Sequence, residues 1–185
     1  MYETEFSSVH EHKSRKWDKP ITFGLLIISD SRWQAISRGE QVKNDKTSEV
    51  VEKLITKNNQ FIFRHFGYLP DDASLIKQKI KELIQEEHID VIITSGGTGI
   101  SKRDVTVESI RPLFEKELTG FTVAFQYLSF LQVGSASILS RATAGIANDK
   151  IIFVLPGSPN AVSMALDKLI LPEIVHILTQ VRGKS

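Results

Sequence analysis

The sequence predicts an α/β fold in three layers, a mostly parallel central sheet with helices on both faces. Three features predict it. Short apolar runs recur that are hydrophobic at nearly every position, as strands buried on both sides require. Segments of helical periodicity alternate with them. Polar or glycine-rich turns close the runs.

Ile21–Ile28 reads as the first strand and ends at Ser29-Asp30-Ser31. A polar stretch follows. Asp45 to Ile55 then reads as a helix, with Val50, Val51, Leu54 and Ile55 on one face. Phe61–Phe66 is the second expected strand and runs into Tyr68-Leu-Pro-Asp-Asp72. Ser74–Glu87 is the next helix, turning Ile76, Ile80, Leu83 and Ile84 inward. Asp90–Thr94 is the third strand and opens onto Ser95-Gly-Gly-Thr-Gly99. Helices are expected over Thr106–Leu118 and Val123–Phe130, with a turn near Gly120-Phe121. Ala142–Ala147 and Lys150–Leu155 read as strands joined tightly at Asn148-Asp149.

The last helix carries Val162, Ala165, Leu166, Leu169 and Ile170, with Ser158 as N-cap and Pro159 in first position. Pro172 is expected to kink or break it. Phe61, Phe63, Phe66, Phe114, Phe125 and Phe130 are expected in the core. Trp17 and Trp33 fall outside the expected elements.

The 185 residues suit one domain, read as 20–185. Residues 1–19, polar and mixed in charge, read as a loose arm, with His10 and His12 solvated rather than metal-bound. The net charge of +1 argues against a general nucleic-acid binder. The chain has no cysteine, which excludes disulfides, zinc–thiolate sites and thiol nucleophiles. No apolar stretch is read as reaching the ~20 residues of a membrane helix, and residues 1–19 lack the apolar core of a secretory signal. A cytoplasmic protein is expected.

In open α/β sheets, ligands bind beyond the carboxyl ends of the strands. Here those ends are Ser29-Asp30-Ser31, Pro70-Asp71-Asp72, Ser95–Gly99 and Pro156-Gly-Ser-Pro-Asn160. Their convergence on one edge is the functional signal. Gly96, Gly97 and Gly99 allow a sharp turn whose N–H groups approach an anion, and Ser95, Thr98 and Ser101 add hydroxyls. The spacing fits neither the Walker pattern nor Gly-x-Gly-x-x-Gly.

Lys102-Arg103-Asp104 sets a cation beside a carboxylate, which suits a polyphosphate with Mg²⁺. Asp71 and Asp104 would supply the carboxylates if the strand ends meet. Local sequence favours capping instead, Asp104 for the helix near Thr106 and Asp71 or Asp72 for the helix near Ser74, and both roles can coexist. Ser158 and Asn160 open a helix whose dipole favours anions, or are ordinary capping residues. Arg141 reads as either an anion contact or a surface charge.

The run Ile92-Ile-Thr-Ser-Gly-Gly-Thr-Gly-Ile-Ser-Lys-Arg-Asp-Val-Thr106 resembles the signature of the molybdopterin-binding MogA/MoaB family. Ile28-Ser-Asp30, Leu69-Pro-Asp71, Gly120-Phe121, Leu139–Gly145 and Leu155–Ala161 agree in order, over about residues 21–178. The MoaB branch is the most similar. The resemblance implies the molybdopterin-binding fold and an enzyme that transfers AMP from Mg-ATP to molybdopterin, releasing pyrophosphate. It also allows an inactive molybdopterin-binding carrier.

The resemblance carries the functional aspartates onto Asp71 and Asp104, with Mg²⁺ assigned to the same pair. It carries phosphate binding onto Gly96, Gly97, Thr98 and Gly99, beside Ser95. Further ligand contacts fall on Ser29, Asp30, Pro156, Gly157, Ser158 and Asn160. It implies a homotrimer or a dimer of trimers, and a separate downstream protein that loads molybdate or tungstate. Thr122, Val123 and Gln126 stand where many members have Gly, Glu and Arg, and Ser48 stands where Gly is usual.

Overall fold

The first strand, β1 (Ile21–Ile28), is buried at every position. Its alternate side chains serve two cores, because successive residues of a strand point to opposite faces. Phe23, Leu25 and Ile27 enter one cluster, and Leu26 and Ile28 enter the other. A strand buried at every position on both faces suits a place inside the sheet. β1 lies between β2 (Phe61–Leu69) and β3 (Val91–Ser95), parallel to both.

The structure, a computed structural model, describes residue 17 and residues 19–42 and 45–183. His10 and His12 lie outside the described residues. The sheet has six strands in the order β2-β1-β3-β6-β5-β4. β6 (Lys150–Leu155) is parallel to β3, while β5 (Thr143–Ala147) and β4 (Lys116–Glu117) add an antiparallel edge. The expected three-layer fold with helices on both faces is the one observed.

Helix α1 (Asp30–Ser37) fills part of the stretch read as irregular. None of its residues is buried, so it leaves no hydrophobic period in the sequence. Helix α2 (Lys46–Ile55) buries Val51 and Ile55 against one face of the sheet. Helix α3 (Ala73–Gln85) buries Ile76, Ile80, Leu83 and Ile84 against the other. Each fully buried Ile contributes about 2 kcal/mol of transfer free energy. Lys150 clamps the end of α3, its Nζ donating to the carbonyls of Glu86 (2.5 Å) and Ile89 (2.7 Å).

The helix expected over Thr106–Leu118 is corrected. Helix α4 ends at Ile110 after starting at Thr106, a 3-10 turn covers Arg111–Leu113, and β4 follows. Pro112 has no N–H to continue a helix. The chain then pairs Lys116 and Glu117 with Ile146 and Gly145. Phe114 packs where a side chain on Gly145 would stand.

Helix α5 (Thr119–Val133) runs longer than the expected Val123–Phe130, and Gly134 at φ +62° breaks it into a 3-10 segment ending at Leu139. Phe125 is buried, but Phe130 is 53% exposed and is not a core residue. Thr119–Leu139, 21 residues, is long and apolar enough to cross a membrane by length and composition. That corrects the sequence reading that found no such stretch. Polar Gln126, Ser129 and Gln132 interrupt the run and hid it.

Asn148 and Asp149 both take positive φ, as a two-residue hairpin turn between β5 and β6 demands. Helix α6 (Pro159–Ala165) passes through a π turn at Leu166–Ile170 into α7 (Leu171–Val181). The π turn ends just before Pro172, which sits in the first turn of α7, where its missing N–H is tolerated. Trp17 packs on the core of the α6–α7 face, and the Arg182 guanidinium lies 5.5 Å from its ring centre.

Candidate active site

Parallel pairing brings the ends of β2, β1, β3 and β6 to one edge. Backbone bonds then knit the turns together. Ser29 N–H donates to Leu69 O (2.8 Å), and Gly96 N–H donates to Leu155 O (3.0 Å). Ser95 gives its hydroxyl proton to Pro156 O (3.0 Å), so it holds the loop rather than offering that donor outward.

The glycine turn is fixed by space as much as by dihedral angle. Gly96 has φ +114°, and a methyl group there would overlap the Ile28 carbonyl. Gly97 has φ +63°. A methyl there would overlap Thr106 Oγ1 and stand 2.8 Å from an Asp71 carboxylate oxygen. At Gly99, a methyl would stand 2.8 Å from an Asp104 carboxylate oxygen. The two aspartates, far apart in sequence, therefore lie against one turn.

Neither of them caps a helix. Asp72 takes the cap of α3, accepting from Ser74 N–H and Leu75 N–H, each at 2.9 Å. The N-cap position of α4 is Val105, and Asp104 instead accepts from Ser101 N–H at 2.9 Å. Both capping alternatives for Asp71 and Asp104 are thereby removed.

Ser29, Asp30, Asp71, Asp104, Pro156, Gly157 and the whole Ser95–Gly99 turn line one cleft of about 670 Å³. Ser158 and Asn160 do not line it. They face an adjoining cleft of about 630 Å³, which shares Ala136, Ser140 and Pro156 with the first. Ser158 also caps α6.

Lys102 and Arg103 do not line the cleft either, and Arg103 pairs with Asp30. Arg141, undecided from sequence, braces the glycine turn from outside the cleft lining. Its Nε donates to Gly99 O (2.8 Å), its Nη2 to Asp104 O (3.0 Å), and its guanidinium pairs with Glu108. Arg32 was missed, though it stands beside Ser29-Asp30-Ser31. It lines the cleft from α1.

The cleft is acidic in character. Burial, followed by the charges of Asp30 and Asp104, raises the pKa of Asp71, against the opposing pull of Arg103. Asp71 N–H donates to Asp30 Oδ1 at 3.1 Å, which ties the two strand ends. Among the described residues, no three His, Cys, Asp or Glu converge as a ready-made metal cage. The donor set fits Mg²⁺ in its usual protein mode, one or two carboxylates with the rest from phosphate and water. Asp71 and Asp104, seated over adjacent parts of one glycine turn, are the residues that would hold it.

The family profile described as "Probable molybdopterin binding domain" matches residues 24–176. The molybdenum cofactor biosynthesis protein B of Staphylococcus epidermidis is 39% identical over 172 residues, covering 91% of this chain and 93% of that protein. Its namesake in Staphylococcus aureus is 40% identical over 169 residues, covering 91% and 96%. The chain belongs to the MogA/MoaB family of molybdopterin-binding proteins.

Solved structures of MogA/MoaB proteins share the fold. A molybdenum cofactor biosynthesis protein B superposes with a TM-score of 0.79 at 33% identity, covering 91% of this chain and 100% of the other. The tungsten cofactor synthesizing protein MoaB from Pyrococcus furiosus gives 0.75 at 38%, covering 90% and 99%. Of the segments that resemble MogA/MoaB proteins, four occupy the strand ends, Gly120-Phe121 lies at the start of α5, and Leu139–Gly145 supplies Arg141. The departures at Thr122 and Gln126 fall elsewhere, in a third cleft of about 740 Å³ beside Arg141. There Gln126 donates to Ser140 O at 2.7 Å.

Proposed function

We propose that this chain, a molybdenum cofactor biosynthesis protein, transfers AMP from Mg-ATP to molybdopterin. The observation that carries the reading is the seating of Asp71 and Asp104 against a single glycine turn in one cleft. A terminal phosphate oxygen of molybdopterin would attack the α-phosphorus of ATP. The bond from the α-phosphorus to the bridging oxygen breaks, and pyrophosphate leaves. Such chemistry asks the protein for alignment and charge stabilisation rather than for a covalent intermediate.

The N–H groups of the Gly96–Gly99 turn are suited to receive phosphate oxygens. Asp71 and Asp104 would hold the phosphates through Mg²⁺, which when bound neutralises charge on phosphate oxygens. Arg141 keeps the turn in shape through the carbonyls of Gly99 and Asp104. The adjoining cleft with Ser158 and Asn160 offers room for the second substrate. The adenylylated product would pass to the downstream protein that loads molybdate or tungstate. Incubation of the protein with Mg-ATP and molybdopterin is expected to release pyrophosphate in proportion to molybdopterin consumed. Binding of both substrates without pyrophosphate release would instead mark a carrier.

A homo-oligomer is part of the same reading. Helix α5 and the segment after it expose Val123, Tyr127 (64%), Leu131 and Ile138 (73%) on one stretch of chain. A contiguous apolar face of this kind calls for a partner surface. Its proposed occupant is a second copy of this chain, as the family resemblance implies. Light scattering is expected to give a mass that is a threefold or sixfold multiple of 20.8 kDa. A monomer, or a particle that appears only with detergent, would overturn that assignment.

A further inference from the structure

Arg32 is the one lysine or arginine among the described residues that line the cleft. The other two nearby arginines are committed, Arg103 to Asp30, and Arg141 to Glu108 and two loop carbonyls. With Asp30 paired to Arg103, Asp71 and Asp104 still outnumber the one cation of the lining, so a phosphate-bearing ligand meets an excess of negative charge. A fixed guanidinium there has an effect out of proportion to its number.

The guanidinium is held from behind. Arg32 Nη2 lies 3.4 Å from Asp45 Oδ1. Asp45 is only 7% exposed, and a carboxylate so enclosed needs several partners. Tyr68 supplies one, its hydroxyl donating to Asp45 Oδ2 at 2.8 Å. Ser48 N–H donates to Oδ1 at 3.3 Å, and His65 Nε2 stands 4.0 Å from Oδ2. Two residues on, fully buried Thr47 donates to Gly157 O at 3.4 Å, and Gly157 lines the cleft. One carboxylate thus joins α1, α2 and β2, and Thr47 ties the same helix start to the loop after β6. A guanidinium has five donors, so the contact with Asp45 leaves others for a ligand.

We propose that Arg32 is the phosphate-binding cation of this cleft and that Asp45, fixed by Tyr68, positions it. The proposal rests on the phosphate-binding reading of the cleft, though not on AMP transfer. Calorimetry with ATP and with inorganic pyrophosphate, each with magnesium, tests it. Arg32→Gln is expected to weaken both ligands about 30-fold, and Arg32→Lys about 5-fold, because Lys keeps the charge but loses the fork. Asp45→Asn retains a capping side chain and is expected to weaken binding about 5-fold when Arg32 is present. In the Arg32→Gln background it is expected to add nothing, and Tyr68→Phe is expected to follow the same pattern more weakly.

Binding by Arg32→Gln within twofold of wild type overturns the proposal. So does an Asp45→Asn effect that is equal in both backgrounds, which marks Asp45 as merely structural. A wild-type protein that binds neither ligand overturns both this proposal and the phosphate reading. Binding with these couplings but without pyrophosphate release in turnover overturns AMP transfer alone.

Discussion

Asp71 pays for its position with an unfavourable charge, and that charge is where a cation or a phosphate–cation pair would gain most. Its pKa is raised from the ordinary aspartate value because it is partly buried and faces Asp30 and Asp104. A carboxyl whose folded pKa exceeds its unfolded pKa stabilises the fold below the unfolded value and loses that stability as pH rises through the folded one. Asp71→Asn is therefore expected to melt at or above the wild-type temperature near about pH 7.5, with the gap closing near about pH 4. The same substitution, and Asp104→Asn, are expected to abolish AMP transfer while the circular dichroism stays native. Gly97→Ala is expected to cost about 2 kcal/mol of stability, from its positive φ and its overlap with Thr106, and to lose activity with it.

Among the elements, those that bury a face were legible in the sequence and those that do not were hidden. Helices α2 and α3 announce themselves through Val51, Ile55, Ile76, Ile80 and Leu83. Helix α1 buries nothing, so Arg32 looked like one more charge in a polar loop. Its partner Asp45 lies on another element, a contact no local pattern reveals. The expected helix to Leu118 failed at Pro112, where the edge strand β4 competes for the chain. The strand-end turns were legible because glycine and aspartate stand out after apolar runs. The separation of Ser158 and Asn160 into a neighbouring cleft depends on packing between α5 and α6 and was not. The cap assignment is testable at this scale. Asp72→Ala is expected to lower stability by about 1 kcal/mol while leaving AMP transfer intact, as measured by denaturant unfolding and pyrophosphate release.

For the molecule as a whole, the sheet does two jobs. Its two cores hold six strands, and its parallel members deliver four separate turns to one edge. The helix that covers the antiparallel side, α5, turns an apolar face outward. Tyr127→Glu with Leu131→Glu is expected to yield a folded monomer, because both side chains are exposed and make no part of the core. Gel filtration with light scattering reads that outcome directly.

The decisive measurement uses ATP radiolabelled at its α-phosphate, with magnesium and molybdopterin. Label is expected to appear in adenylylated molybdopterin with the wild-type protein and to be absent with Asp71→Asn or Asp104→Asn. Label transferred at the wild-type rate by both variants, or never transferred by the wild type, would contradict a phosphoryl site built from those two aspartates and the glycine turn.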